Sequence, residues 1–188
     1  MKEYSSKVSF KVSRFTVDIY DHEKGQGTIS VSKNGMVWSS YFGSIGLDST
    51  MKDFVSRING EYFANNLITG KKFVFNKRNT FKQLRKFLRE DMCLYWYEHM
   101  TFQKDMRSKI KAFSQACDDE QDFVNNFDFY MVAMQNFDLI ENSIDSHQVR
   151  KELESINEPW HFIETKYSSE YLMLMKLHKK IVAKINGG

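Results

Sequence analysis

Reactive side chains are few in this 188-residue chain and stand far apart: five histidines (His22, His99, His147, His161, His178) and two cysteines, Cys93 and Cys117. Asp21-His22-Glu23 sets three metal-capable groups in a row. Adjacent residues of a loop do not converge on one ion, however, and no second cluster supplies the remaining ligands of a tetrahedral site. His161 and Glu164 are three apart, again with no matching pair elsewhere, so a surface hydrogen bond is expected. Cys93 and His99 are six apart, and on one helix ~600° of rotation leaves them ~120° from each other, which excludes a thiolate–imidazole pair within that helix. The sequence contains no Gly-x-Ser-x-Gly turn, no His-Glu-x-x-His helix and no paired-carboxylate signature. These observations predict a protein that is not an enzyme, with no catalytic residue, no metal and no cofactor.

One stretch invites a different chemistry. In WSSYFGSIGLDST (38–50) a strand-like run meets Gly43-Ser44-Ile45-Gly46 and then a helix opener. A phosphate cradle needs backbone N–H groups converging on the anion, usually with a lysine reaching over it. Here Leu47 and Asp48 hold the exit, and Asp48 repels an anion. The Gly-x-x-Gly loop of RNA-clamping KH domains lies between two helices, whereas this one follows a strand. The expected role is a bend, with glycine supplying positive φ and Asp48 or Ser49 as N-cap.

Charge says more. The net charge of +3 conceals two opposed blocks. From Lys71 to Lys111 twelve Lys/Arg face four acids, net +8; from Cys117 to Glu158 eleven acids face Arg150 and Lys151, net −9. Lys82, Arg85, Lys86 and Arg89 recur at i, i+3, i+4 and i+7, one stripe of a helix whose opposite stripe holds Phe81, Leu84 and Leu88; Lys77 and Arg78 precede it. Like charges so spaced repel by ~0.2–0.5 kcal/mol per pair unless an anion lies against them. Three partners fit: a nucleic-acid backbone, an acidic patch on another protein, or the chain's own acidic helices. Phe81 looks inward, leaving Phe87 as the aromatic flanking the stripe. Asp118-Asp119-Glu120 stands near a helix start, where acids first serve the helix dipole, and the acidic region is a second candidate contact.

The elements that position these residues follow from two periods. Val8, Phe10 and Val12 alternate with polar residues, and Phe15, Val17 and Ile19 do so in the opposite phase. With no Gly, Asn or Asp at Ser13-Arg14, the prediction is one long strand with a bulge, followed by a loop over Asp21–Gly27. Asn34-Gly35 then marks a type I′ hairpin from Thr28 to Phe42. It sets Lys33 opposite Met36 and Val31 opposite Trp38, so that Ile29, Val31, Met36, Trp38 and Phe42 share a core face. From Asp48 the period is helical. Capping boxes are predicted at Thr50/Asp53 and Thr80/Gln83, with Asn59-Gly60 either breaking the first helix or tolerated in it. A short strand lies within Lys71–Lys77. Further helices cover 104–115, 119–136, 147–155 and 168–185. The expected fold is α+β, an N-terminal antiparallel sheet of three or four strands with five or six helices packed on one face and beyond it. It forms a single domain over 1–188, with the sheet and first helix in 1–70 and mainly helix in 71–188.

Sixteen phenylalanines, nine tyrosines and three tryptophans argue for a packed interior. The opening MKEYSSKVSF has no apolar signal core, and no apolar run approaches the ~18 residues of a spanning helix; with two cysteines, a cytoplasmic protein is expected.

Extended, the opening stretch also resembles something. Residues 38–67, WSSYFGSIGLDSTMKDFVSRINGEYFANNL, resemble a segment of small accessory proteins of tailed phages and prophages, through Tyr41, Phe42, Gly43, Ser44, Gly46, Phe54, Asn59, Tyr62 and Phe63. The resemblance implies no catalytic residues. It implies a milieu in which small non-enzymatic proteins bind host machinery, CRISPR effectors and other defence systems included. The expectation is a phage-type protein that blocks a host protein or ribonucleoprotein complex by occupying a surface, with Lys77, Arg78, Lys82, Arg85, Lys86, Arg89, Asp118, Asp119 and Glu120 as contact residues. Direct binding of DNA or RNA is the alternative, and an enzyme acting on nucleic acid or nucleotides the third reading.

Overall fold

Runs in which β-branched and aromatic residues alternate with polar ones become strands. The computed structural model describes residues 5–90, 100–135 and 158–187. In it β1 (Ser6–Val12), β2 (Phe15–Glu23), β3 (Gln26–Lys33) and β4 (Met36–Phe42) form one antiparallel sheet in sequential order. The Asn34-Gly35 turn is as predicted, with φ of 49° and 82°, Lys33 paired with Met36 and Val31 with Trp38. Of the proposed core face, Met36 is exposed because it sits at the hairpin's end.

The predicted bulged strand is instead a hairpin. Val12 pairs with Phe15, Phe10 with Val17 and Val8 with Ile19, and Ser13 adopts the left-handed region at φ 54°. A two-residue turn puts residues i and i+3 opposite each other on one face, so the phase inversion at Ser13-Arg14 is what a hairpin demands. The Asp21–Gly27 loop is also shorter than expected. β2 runs to Glu23, β3 starts at Gln26, and the register shift lies between Asp21 and Glu23.

Six helices follow among the described residues: α1 (Met51–Arg57), α2 (Gly60–Leu67), α3 (Lys77–Glu90), α4 (Met100–Ala116), α5 (Glu120–Gln135) and α6 (Ser169–Asn186). A 3-10 turn covers Pro159–Phe162, and β5 (Phe73–Phe75) pairs with β6 (Thr165–Tyr167). The fold is α+β, as the periodicity predicts. The chain divides into two compact units, Met1–Val74 with Tyr167–Gly188, and Phe75–Lys166.

In the first unit the sheet's apolar face meets α1, α2 and α6, burying Val17, Ile19, Ile29, Val31 and Trp38 with Met51, Val55, Phe63, Leu67, Tyr171, Leu174 and Ile181. Thr50 caps α1 with the predicted capping box to Asp53, so the N-cap is neither Asp48 nor Ser49. Asn59 breaks the helix and caps α2, its Oδ1 accepting the Tyr62 N–H at 2.8 Å. Asp21 Oδ1 accepts the Met51 N–H at 2.6 Å, seating α1 on β2. Gly27 makes that approach possible, since a Cβ there would lie 2.0 Å from Met51 Cγ and 2.4 Å from the Tyr20 carbonyl oxygen.

Glu170, in the first turn of α6, accepts the Trp38 indole N–H at 2.6 Å, the Thr69 N–H at 3.1 Å and the Thr69 hydroxyl at 2.8 Å. Burial pushes its carboxyl up, but these donors and the Gly70 N–H outweigh it and hold the group below its ordinary value.

Two outcomes follow. Gly27→Ala should destabilise the protein by about 1–3 kcal/mol, read as a lower urea midpoint; an unchanged midpoint would show that the helix can retreat without cost. Glu170→Gln should cost about 1–2 kcal/mol at pH 7 through lost charged hydrogen bonds. Because the folded carboxyl titrates below the unfolded one, its stabilisation is complete above pH ~4.3 and lost as pH falls through the folded value. The acid loss of stability should therefore be smaller in Glu170→Gln than in the wild type, as measured by urea titrations from pH 7 to 3.

Candidate partner-binding surface

α3 begins earlier than its sequence signal. Asn76 opens it, its Oδ1 accepting the Asn79 N–H at 3.4 Å and its carbonyl the Thr80 N–H at 2.9 Å. Thr80 is therefore not the cap. It is fully buried one turn inside, where its hydroxyl oxygen accepts the Glu164 N–H at 2.9 Å. Gln83, the other half of the predicted box, donates to Glu164 Oε1 at 3.5 Å.

The inner face of α3 carries Phe81 and Leu84, both buried. Phe81 meets Phe113 and Phe123 edge-on at 5.0 and 5.4 Å, and these two stack on each other at 5.0 Å. Phe127, Met131 and Phe162 complete the second unit's core. Phe87 is half-buried against Phe162 at 5.3 Å, which removes it as a stacking surface beside the cations.

The outer face is cationic. At ~100° per residue, Arg78, Lys82, Arg85, Lys86 and Arg89 fall within an arc of ~100°, and all five are exposed. Arg78 extends the predicted stripe by one turn. Lys77 does not belong to it; it lies on the inner side, half-buried, with Nζ 3.6 Å from Asp118. Glu90 answers the C-terminal end of the stripe, 3.7 Å from Lys86 Nζ and hydrogen-bonded to Arg89. The Arg89 hydrogen bond, with Lys86 nearby, holds the Glu90 carboxyl below its ordinary value. Lys82, Arg85 and Arg78 form no ion pair with a described residue.

Within the acidic trio, Asp119 caps a helix, while Asp118 and Glu120 are exposed. Asp119 Oδ1 accepts the Asp122 N–H and Asp122 Oδ2 accepts the Asp118 N–H, each at 2.9 Å, a reciprocal cap on α5. Glu120 is exposed in the first turn, where its charge complements the helix dipole. The basic and acidic blocks meet at Lys77–Asp118. The structure thus brings together Lys82, Arg85, Lys86, Arg89 and Arg78, and puts Lys77 with the acids.

The other reactive groups have local partners. Cys117 is buried, and burial followed by the Asp122 charge pushes its thiol up to about 11, so it stays protonated at neutral pH. His178 donates Nε2–H to the Val55 carbonyl at 2.9 Å inside the first core, where burial lowers its pKa. His161 pairs with Glu158 at 2.8 Å rather than with Glu164. His22 lies in β2, not a loop, 2.8 Å from the Thr28 hydroxyl. Alternation along that strand sends its neighbours Asp21 and Glu23 to the other face. Among the described residues no three His, Cys, Asp or Glu groups converge. Cys93, His99, His147 and the predicted helix at 147–155 lie outside the described residues.

The glycine turn is a bend. Gly46 has φ 99°, its carbonyl accepts the Ser49 N–H at 3.0 Å, and the Ile45 N–H is engaged by the Gly25 carbonyl at 2.9 Å. Arg57 donates to the Ile45 carbonyl and to the Ser49 hydroxyl, each at 3.0 Å, closing the turn from the helix side.

A sequence profile described as a phage family matches residues 2–186. The chain belongs to this family of phage proteins. The likeness visible over 38–67 is thus one part of a match that spans nearly the whole of this phage protein. No curated protein and no solved structure matches it. No described helix is long and apolar enough to cross a membrane.

In the phage protein the α3 charges should contribute little to folding. A double-mutant cycle on Lys77 and Asp118 should return a coupling of about 0.2–1 kcal/mol. Lys82→Ala and Arg85→Ala should each stay within about 0.5 kcal/mol of the wild type in urea titrations. A loss above 2 kcal/mol at either position would mean the stripe is a structural element.

Proposed function

We propose that this phage protein is a non-enzymatic binding protein that inhibits a host defence complex, such as a CRISPR effector, by occupying a surface of it, and that the outer face of α3 makes the contact. The observation that carries the reading is the set of exposed cations on α3, of which Lys82, Arg85 and Arg78 have no ionic partner among the described residues. Mutual repulsion along such a face is relieved when an anionic surface covers it. Membership of a phage family supplies the setting. The reactive groups described above are buried, capped or paired singly, which supports binding rather than catalysis.

The nature of the stripe narrows how it would bind. Single-stranded nucleic acid is held by cations interleaved with exposed aromatic rings, and Phe87, beside the stripe, is half-buried with its ring edge-on to Phe162. The face therefore suits charge recognition without base stacking: an acidic protein surface or a phosphate backbone within a complex.

The test compares the wild type with Lys82→Glu/Arg85→Glu/Lys86→Glu/Arg89→Glu. The wild type, expressed in a host with an active RNA-guided defence, should restore plating of a targeted phage and co-purify with the effector. The reversed variant, with an unchanged circular dichroism spectrum, should do neither. Equal protection by both proteins would remove α3 from the reading, and no protection by the wild type would reject the CRISPR instance. Duplex DNA or RNA binding that collapses between about 50 and 200 mM salt would instead establish direct nucleic-acid binding.

A further inference from the structure

The first unit holds a second cationic feature of different construction. Between the β1–β2 turn and α6 runs an open groove of about 400 Å³ lined by Ser13, Phe15, Ser169, Leu172, Met173, Lys176, Leu177 and Lys180. Its floor is apolar. Phe15 is fixed from behind by Trp38 at 6.2 Å, and Leu172, on the α6 side, is 40% exposed to solvent.

Its rim is positive. Lys176 and Lys180 stand one helical turn apart on α6, ~6 Å along the axis. Lys180 Nζ donates to the Ser13 hydroxyl at 3.2 Å, a neutral acceptor, and Lys176 has no ionic partner among the described residues. Outside the lining, Lys33 Nζ lies 5.2 Å from the Phe15 ring. No carboxylate lines the groove. Glu170, on the same helix, is held by Trp38 and Thr69.

We propose that this groove docks an acidic, amphipathic segment of a partner protein, seating one large apolar side chain on Phe15, Leu172 and Leu177 and setting two carboxylates against Lys176 and Lys180. Charge complementarity selects this occupant. Two ammonium groups a turn apart match carboxylates at i and i+4 of a helix, which lays its apolar face in a groove and its acids along the basic rim. A fatty acid fills the floor but leaves one lysine unanswered. A phosphodiester backbone answers the lysines but covers the apolar floor with charge. The site lies in the other unit from α3 and stands whether or not α3 binds anything.

The experiment is a selection of a displayed library of random 14-residue peptides on the full chain, followed by fluorescence polarisation with the enriched peptides. Enriched sequences should pair a Leu, Phe or Met with two Asp or Glu one turn apart. Lys176→Glu/Lys180→Glu should weaken them more than tenfold, while Lys179→Glu, on the same helix but outside the groove, changes affinity less than twofold. The α3 reversal variant should bind them like the wild type, so failure here and failure of the α3 reading are separate results. No enrichment, enrichment of peptides without acids, or binding indifferent to Lys176→Glu/Lys180→Glu overturns the proposal. So does decanoate binding in place of peptide, or self-association through the groove in sedimentation.

Discussion

A discontinuous unit has to close on itself, and in the first unit one carboxylate joins the two ends. The chain leaves this unit after Val74 and re-enters it at Tyr167. Glu170, just past re-entry, binds Thr69, just before exit, and Trp38 of the sheet, 132 positions away in sequence. Around it Ser168 N–H donates to the Lys72 carbonyl at 2.9 Å, and Phe73 stacks on Tyr167 at 5.0 Å. The Lys72 ammonium lies 4.9 Å from the Tyr171 ring centre, so these rings are already answered by the protein's own cation. Closing a long excursion costs entropy that grows only slowly with its length. A multiply bonded carboxylate and a few ring contacts work against that cost together with the burial of Tyr171, Leu174 and Ile181, and α6 covers the sheet's apolar face.

Charge plays a different part in the second unit. α3 carries six cations and one carboxylate, Glu90, within Lys77–Glu90. Neighbouring like charges oppose the helix by ~0.2–0.5 kcal/mol per pair. Burial of Phe81 and Leu84 returns ~1.5–3 kcal/mol for each side chain, so packing against Phe113 and Phe123 outweighs the repulsion. The helix forms because of its inner face and in spite of its outer one. A structural explanation of the outer charges then has little to work with, since neither the core nor the cap at Asn76 needs them. Asp119 and Asp122 differ in kind: their carboxylates close the first turn of α5, and removing them would expose backbone donors.

Elements whose signal is local could be read from the residues alone. Asn34-Gly35 gave its hairpin and register, Thr50/Asp53 its cap, and the 3.6-residue period the outer and inner faces of α3. The misreadings share one cause, local chemistry that tolerates more than one outcome. Ser13 adopts a left-handed conformation usually left to Gly, Asn or Asp, and so turns where a bulge was expected. Thr80 has the spacing of a cap, yet Asn76 lies four residues upstream, and the Glu164 N–H then recruits the threonine hydroxyl. Features that need the fold were not legible: the Glu170 clasp joins distant residues, and the α6 groove exists only where the Ser13 turn meets that helix. The hint in sequence was Lys176 and Lys180 on a helix with few acids, which without Phe15 beneath them is an ordinary solvated face.

The two cationic surfaces are unlike in the physics they offer a partner. The α3 face is charge alone, and between exposed groups ions screen such attraction beyond ~8 Å at physiological strength. It suits steering and orienting toward a strongly acidic body, where the rate of encounter gains more than the lifetime. The α6 groove combines two lysines with an apolar floor, and burial of an anchoring side chain adds a term that salt does not screen. Lifetime of a complex is set mainly by such desolvated anchors. The two kinds of contact act on different steps of association, encounter and residence, and neither substitutes for the other.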